Sequence, residues 1–214
     1  MTLARCLIST RIINAHQLEE IAKEVANCRK CRLWASRTNP VPGQGNIYAE
    51  VMFVGEAPGY NEDLEGRPFV GAAGKFLDKL LEVAGLRRSE VFITNILKCR
   101  PPGNRDPLPD EVEACTPYLD RQVAAIKPKL IVCLGRHSAS YVLVKGGVKR
   151  HRGGISTVRG QVFKVRFEGL SLLAIPTYHP AAGLYNPKLK DTLISDFILI
   201  GKVVKDICKG SWTF

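Results

Sequence analysis

Seven cysteines occur in the chain, and four of them have the spacing of metal ligands: Cys28-x2-Cys31, then Cys99 and Cys115. A tetrahedral centre needs four sulfurs, and two thiolates two residues apart can grip one centre from a single turn. Zinc and an iron–sulfur cluster both accept all-cysteine ligation, and the spacing does not separate them. Cys133 lies in the apolar run Leu130-Ile131-Val132-Cys133-Leu134 and reads as core, while Cys6 and Cys208 have no partner pattern. An odd count without an export signal argues against a disulfide framework.

A second set of residues fills the stretch 55–74, GEAPGYNEDLEGRPFVGAAG, which holds five glycines, two prolines and four carboxylates. It leaves the short apolar run Val51-Met52-Phe53-Val54. In an open α/β sheet, ligands bind at loops on the carboxyl ends of strands. Glu56 and Glu62 there could position a water or stabilise positive charge, and Phe69 could stack on a planar ligand. The plainer reading makes them solvated loop carboxylates and a hydrophobic anchor. The glycines match neither GxGxxG nor GxxxxGK[ST], so no nucleotide cofactor is indicated. Asn95, near the end of the apolar run 91–97, offers a donor and an acceptor. His179 follows another apolar run and precedes Pro180, a suitable place for an acid or hydrogen-bond donor.

The elements that must position these residues follow from periodicity. Asn14 and Gln17 resemble a capping box, with Leu18, Ile21, Ala22 and Val25 at helical spacing behind them. Strands are expected at 51–54, 91–97, 129–135 and 172–176, with helices at about 72–84, 110–126, 136–144 and 187–207, and the basic, Gly-rich segment 145–168 is expected to form a loop and then an edge strand or hairpin. Alternation of strands and helices gives the α/β class, a mainly parallel sheet covered on both faces, in one domain spanning 1–214. The loops 55–70, 98–109 and 177–186 then share one sheet edge and converge on one crevice.

At 214 residues and 45% hydrophobic, the chain can bury a full core. Its net charge of +11 favours a polyanionic partner. Lys145, Lys149, Arg150, His151, Arg152, Arg159, Lys164 and Arg166 make one basic region, and Arg100 and Arg105 add charge beside the second loop. Phosphate contact is the sharper reading of them, a solvated face the plainer one. No apolar run reaches the ~18 residues of a membrane span, and no signal peptide is legible. The expectation is a cytoplasmic monomer with no membrane partner.

Taken together, GEAPGYNED with GRPFVGAAGKFLD, TNILKCRPPGNRDP, YHPAA and the four cysteines resemble the family 4, thermophile-type uracil-DNA glycosylases. The likeness runs from Cys28 to about Lys190. It implies a three-layer α/β/α sandwich around a four-stranded mainly parallel sheet. It also implies a structural 4Fe-4S cluster on Cys28, Cys31, Cys99 and Cys115. Carried over by motif, Gly55, Glu56 and Ala57 line a uracil pocket, Phe69 stacks on the base, Asn95 reads its edge and His179 faces a uracil carbonyl. Glu56, Glu62 and His179 form the candidate catalytic set, and Asn104 either assists the substrate or shapes its turn. Better-studied uracil glycosylases of another family carry Asp where this loop has Ala57, so the water activator does not transfer. Glu62 or Tyr60 are candidates for refusing thymine.

The activity implied is removal of uracil from single- and double-stranded DNA, without strand cleavage. Arg100, Arg105, Arg150 and Arg152 are expected against DNA. Leu184 is expected to fill the hole left by the flipped base, because Tyr185 stands where the family more often has Arg. The C-terminal Trp212-Thr213-Phe214 is a candidate sliding-clamp peptide, although it lacks the usual upstream Gln. Two rivals remain at this point: a non-catalytic iron–sulfur protein that binds nucleic acid in the same cleft, and a hydrolase of another base-like ligand.

Overall fold

The computed structural model describes residues 3–148 and 154–212, with side chains from residue 14 onward. Its elements are α1 (Leu3–Asn27), β1 (Gln44–Gly45), β2 (Val51–Gly55), α2 (Tyr60–Glu65), α3 (Ala72–Val83), β3 (Phe92–Asn95) and α4 (Pro109–Ile126). Then follow β4 (Leu130–Leu134), α5 (Arg136–Lys145), α6 (Ile155–Val158), β5 (Phe163–Phe167), β6 (Leu170–Thr177), α7 (Pro180–Tyr185) and α8 (Pro187–Cys208).

The central strands are apolar at nearly every position because both of their faces are covered. Successive residues of β2 serve opposite layers. Val51 and Phe53 pack with Phe76, Leu77 and Leu80 of α3 and with Leu193, Phe197 and Ile200 of α8. Met52 and Val54 pack with Ile21 and Val25 of α1, Leu119 and Val123 of α4, and Val142 of α5. The result is an α/β/α arrangement with helices on both sides of one sheet.

The sheet has six strands in the order β1-β3-β2-β4-β6-β5, where the resemblance implies four; β5 is the edge strand expected within 145–168, and β1 is the unexpected one. The expected four are its parallel centre, β3-β2-β4-β6. Antiparallel strands close both edges. β5 returns on β6 through Glu168 and Gly169, both with positive φ, as a tight two-residue hairpin requires. β1 pairs through its backbone alone: a Cβ on Gly45 would lie 2.1 Å from the Val91 carbonyl oxygen.

The first helix also departs from expectation. It runs from Leu3, not Asn14. No glycine or proline interrupts this stretch, so nothing forces the non-helical backbone that a cap at Asn14 would need. Among the described residues, no helix is long and apolar enough to cross a membrane.

The chain passes from β2 to β3 on one side and later places β4 on the other. A crevice at the carboxyl ends of these strands is the ligand position that such a reversal creates.

Candidate active site

β2 ends at Gly55, paired with Asn95 at the end of β3. A side chain at 55 has no room: an added Cβ would stand 2.3 Å from Asn95 Oδ1 and 2.8 Å from Phe69 Cζ. Glycine therefore lets an amide from one strand and a ring from the following loop meet over bare backbone. Asn95 is buried, and its Oδ1 has no hydrogen-bond partner among the described residues. A buried acceptor left open in this way is suited to a donor from outside.

Phe69 is held in the left-handed region, φ 52°, rare for a bulky residue and maintained only where the surrounding structure fixes it. α3 packs directly on its backbone, since a Cβ on Gly74 would fall 1.9 Å from the Phe69 carbonyl oxygen. The Phe69 ring stacks against the His179 ring, with centroids 5.5 Å apart and planes 28° from parallel.

His179 caps α7, and its Nδ1 accepts from the Ala181 N–H at 3.2 Å. With Nδ1 an acceptor, the proton of the neutral ring belongs on Nε2. Burial lowers its pKa from 6.5 to about 4, against an opposing pull from the Glu62 charge. The ring is therefore a neutral donor near pH 7. The same shift has a consequence for stability. The unfolded chain takes up the proton at pH 6.5 and the folded one only near 4, so stability present above 6.5 is lost as pH falls between these values, by at most about 3 kcal/mol. Urea midpoints of wild type and His179→Asn measured from pH 7 to 4 should diverge by that trend. Parallel curves would place the acid sensitivity elsewhere.

The four carboxylates of the 55–74 stretch part ways. Asp63 is buried and accepts from the Thr38 N–H at 2.9 and 3.1 Å, tying down the preceding loop. Glu65 pairs with Arg67. Glu62 accepts from the N–H groups of Gly59, Val70 and Gly71 at 3.1, 2.9 and 3.0 Å. Three of its roughly four acceptor positions are thus taken, so Glu62, which also lines the cleft, clamps the loop with most of its hydrogen-bonding capacity. Among the described residues, Glu56 alone of the four has a carboxylate that accepts no hydrogen bond. Burial raises its pKa, with His137 pulling the other way and Asp106 adding to the rise. His137 Nε2 lies 3.8 Å from Glu56 and 3.5 Å from Asp106.

One cleft of about 440 Å³ joins these groups, with Glu56, Ala57, Phe69, Asn95 and His179 along its walls. Leu184 and Tyr185 stand at its rim, 44% and 88% exposed. Asn104 also lines it, but with a positive φ and with Oδ1 accepting from Arg100 Nε at 2.7 Å. Its visible work is to shape the turn.

Two arginines expected to face DNA have internal partners. Arg105 donates to both oxygens of buried Glu111, at 2.8 and 2.5 Å, so its guanidinium anchors the start of α4. Arg100 holds Asn104 and lies over the Tyr60 ring at 5.1 Å. Arg150 and Arg152 lie outside the described residues, as do Thr213 and Phe214, while Trp212 packs on the α3–α8 side of the core.

Cys28, Cys31, Cys99 and Cys115 line one small cavity below the cleft's second loop. They arrive from the end of α1, the loop after β3, and α4. Arg37 Nη1 donates to Cys99 Sγ at 3.1 Å and the Lys98 N–H to Cys115 Sγ at 3.2 Å. Burial pushes the Cys115 thiol up to about 12, so a thiolate there needs a bound cation to draw its proton off. Cys133 is core, as expected, and Cys208 is exposed.

Two residues of this region carried no signal in sequence. His137 sits among basic neighbours, and Lys98 looks like the first residue of a loop. Both are placed by the three-dimensional fold.

Comparison with known proteins decides the family. The model of the uracil DNA glycosylase superfamily matches residues 42–198. The chain belongs to this superfamily. Its relatives include the type-4 uracil-DNA glycosylase of Sulfurisphaera tokodaii, 56% identical over 84% of this chain and 81% of that one. That of Saccharolobus solfataricus is 55% identical over 84% and 83%. That of Archaeoglobus fulgidus is 52% identical over 87% and 92%. The superfamily match begins at the loop before β1 and ends within α8, so it takes in the whole cleft.

Proposed function

We propose that this protein is a type-4 uracil-DNA glycosylase: it takes uracil out of the DNA stack and hydrolyses the N-glycosidic bond, leaving an abasic site. The observation that carries this reading is the meeting of Phe69, Asn95 and His179 over Gly55, with a buried acceptor open to the cleft.

A base inside a duplex is out of reach, so it must be flipped into a pocket. Phe69 supplies a face for stacking. Asn95 supplies an acceptor for the uracil N3–H and a donor for its neighbouring carbonyl. Cytosine presents an amino group and a bare ring nitrogen on the same edge, leaving polar groups unsatisfied at about 1–3 kcal/mol each. Bond cleavage leaves negative charge on uracil and positive charge on the sugar. His179, a neutral donor fixed by its Nδ1 contact, meets the first. Glu56, the carboxylate free of loop hydrogen bonds, meets the second and orients the attacking water. Leu184, with Tyr185 beside it, fills the gap in the stack, and the substrate is single- or double-stranded DNA.

Cys28, Cys31, Cys99 and Cys115 would hold a 4Fe-4S cluster. Two features of the donor set support it. All four ligands are thiols, and they converge on one cavity from three separate segments of the chain. When bound, the cluster crosslinks three segments of chain and takes no part in the reaction.

The test is incubation with oligonucleotides carrying a single uracil, followed by alkali. Breaks at uracil only after alkali are expected. Tight binding without breaks would favour a non-catalytic nucleic-acid-binding protein, and release of some other base alone would favour a different hydrolase.

A further inference from the structure

Lys98 is 1% exposed, yet it is a lysine. A buried ammonium without partners is strongly unfavourable. Here each of its three N–H donors has one acceptor: Thr94 Oγ1 at 2.7 Å, the Asn95 carbonyl oxygen at 2.7 Å and Gln122 Oε1 at 2.8 Å. Gln122 in turn donates to the Pro42 carbonyl at 2.7 Å, and Thr94 to the same oxygen at 3.0 Å. The ammonium thus joins the end of β3, α4 and the loop before β1 in one buried polar node. If bulk alone were needed, an apolar side chain would fill this place without desolvating a charge.

The place gripped is specific. Thr94 and Asn95 are the last two residues of β3, and the carbonyl that Lys98 holds belongs to the residue whose side chain enters the cleft. On the other side of this strand end, Gly55 leaves no Cβ between the strand and the Asn95 amide. Fixing the Asn95 peptide from behind fixes the direction in which its amide leaves the backbone.

We propose that Lys98 is the positioning residue for Asn95: its three hydrogen bonds hold the end of β3 so that the Asn95 amide meets the uracil edge in one orientation. This rests on the reading of Asn95 as the base-reading residue. Lys98 touches no substrate, and its effect reaches the base only through Asn95.

A double-mutant cycle on the full-length protein separates this from a role in general stability. Single-turnover excision of uracil is measured for wild type, Lys98→Met, Asn95→Ala and the double variant, with iron content and melting temperature recorded for each. Lys98→Met is expected to slow excision by about 10- to 100-fold, at unchanged iron content and unchanged DNA affinity. In the Asn95→Ala background the same change should slow it no further. Thr94→Val, which removes one partner without touching the charge, gives the same pattern with smaller effect and serves if Lys98→Met does not fold. Equal losses in both backgrounds overturn the proposal while leaving the uracil reading intact. A wild-type protein inert on uracil DNA overturns both.

Discussion

Asn95→Asp is expected to lower kcat/KM for uracil excision by about 100-fold or more, the consequence of replacing a donor by an acceptor opposite a carbonyl. In the fold the amide sits over Gly55 with its Oδ1 buried and unpartnered. The carboxylate keeps that acceptor but turns the second group from donor to acceptor, against a uracil oxygen that can only accept. It also brings a charge into a site already holding Glu56, whose own carboxyl burial raises. The loss should fall on kcat/KM for uracil, while affinity for undamaged DNA stays within about twofold, because phosphate contacts supply most non-specific binding. Steady-state kinetics on uracil and cytosine substrates, beside binding titrations at fixed salt, read all three quantities. Retention of wild-type rate and selectivity would remove Asn95 from base reading.

The second large effect concerns the thiols. Cys115→Ala should abolish the brown colour of the purified protein, remove most of its iron and sulfide, and lower the melting temperature by about 10 °C or more. A centre worth several kcal/mol in a chain of this size corresponds to such a shift. Cys133→Ala is the control. That thiol is also buried but stands in β4 and does not line the four-cysteine cavity. It should lose about 1–2 kcal/mol to the small cavity created and keep its iron. A colourless wild-type protein containing one zinc per chain would sink the cluster assignment.

Much of this architecture was legible because it rests on repeated local patterns. The central strands are continuous apolar runs, α3 and α8 carry regular stripes, and three furnished loops fall at one sheet edge. Legibility failed where the deciding interaction is backbone to backbone or distant in sequence. β1 is two residues long and pairs through glycine, so it has no side-chain pattern to read. The start of α1 departs from expectation because Asn14 and Gln17 resemble a capping pair while no helix-stopping residue precedes them to end the helix there. The site shows the same division. Asn95 and His179 stand at or just past strand ends and Phe69 in the long loop after β2, as the sequence places them. Glu62 is expected in the catalytic set and Arg105 against DNA, yet Glu62 gathers three loop N–H groups and Arg105 is held by Glu111. Which charged side chain faces inward depends on partners that spacing does not reveal.

The link from Asn95 to Cys99 has a consequence for how this protein can vary. Ile96, Leu97 and Lys98 between them are all buried. Their N–H groups are fixed in turn to the Gly55 carbonyl, the Glu56 carbonyl and Cys115 Sγ, at 3.1, 3.0 and 3.2 Å. Connecting segments generally absorb insertions because surplus chain can bulge into water. This one has no outlet to water and is anchored at every residue. One added residue would shift either the amide or the thiol out of register, so changes of chain length must arise in other loops.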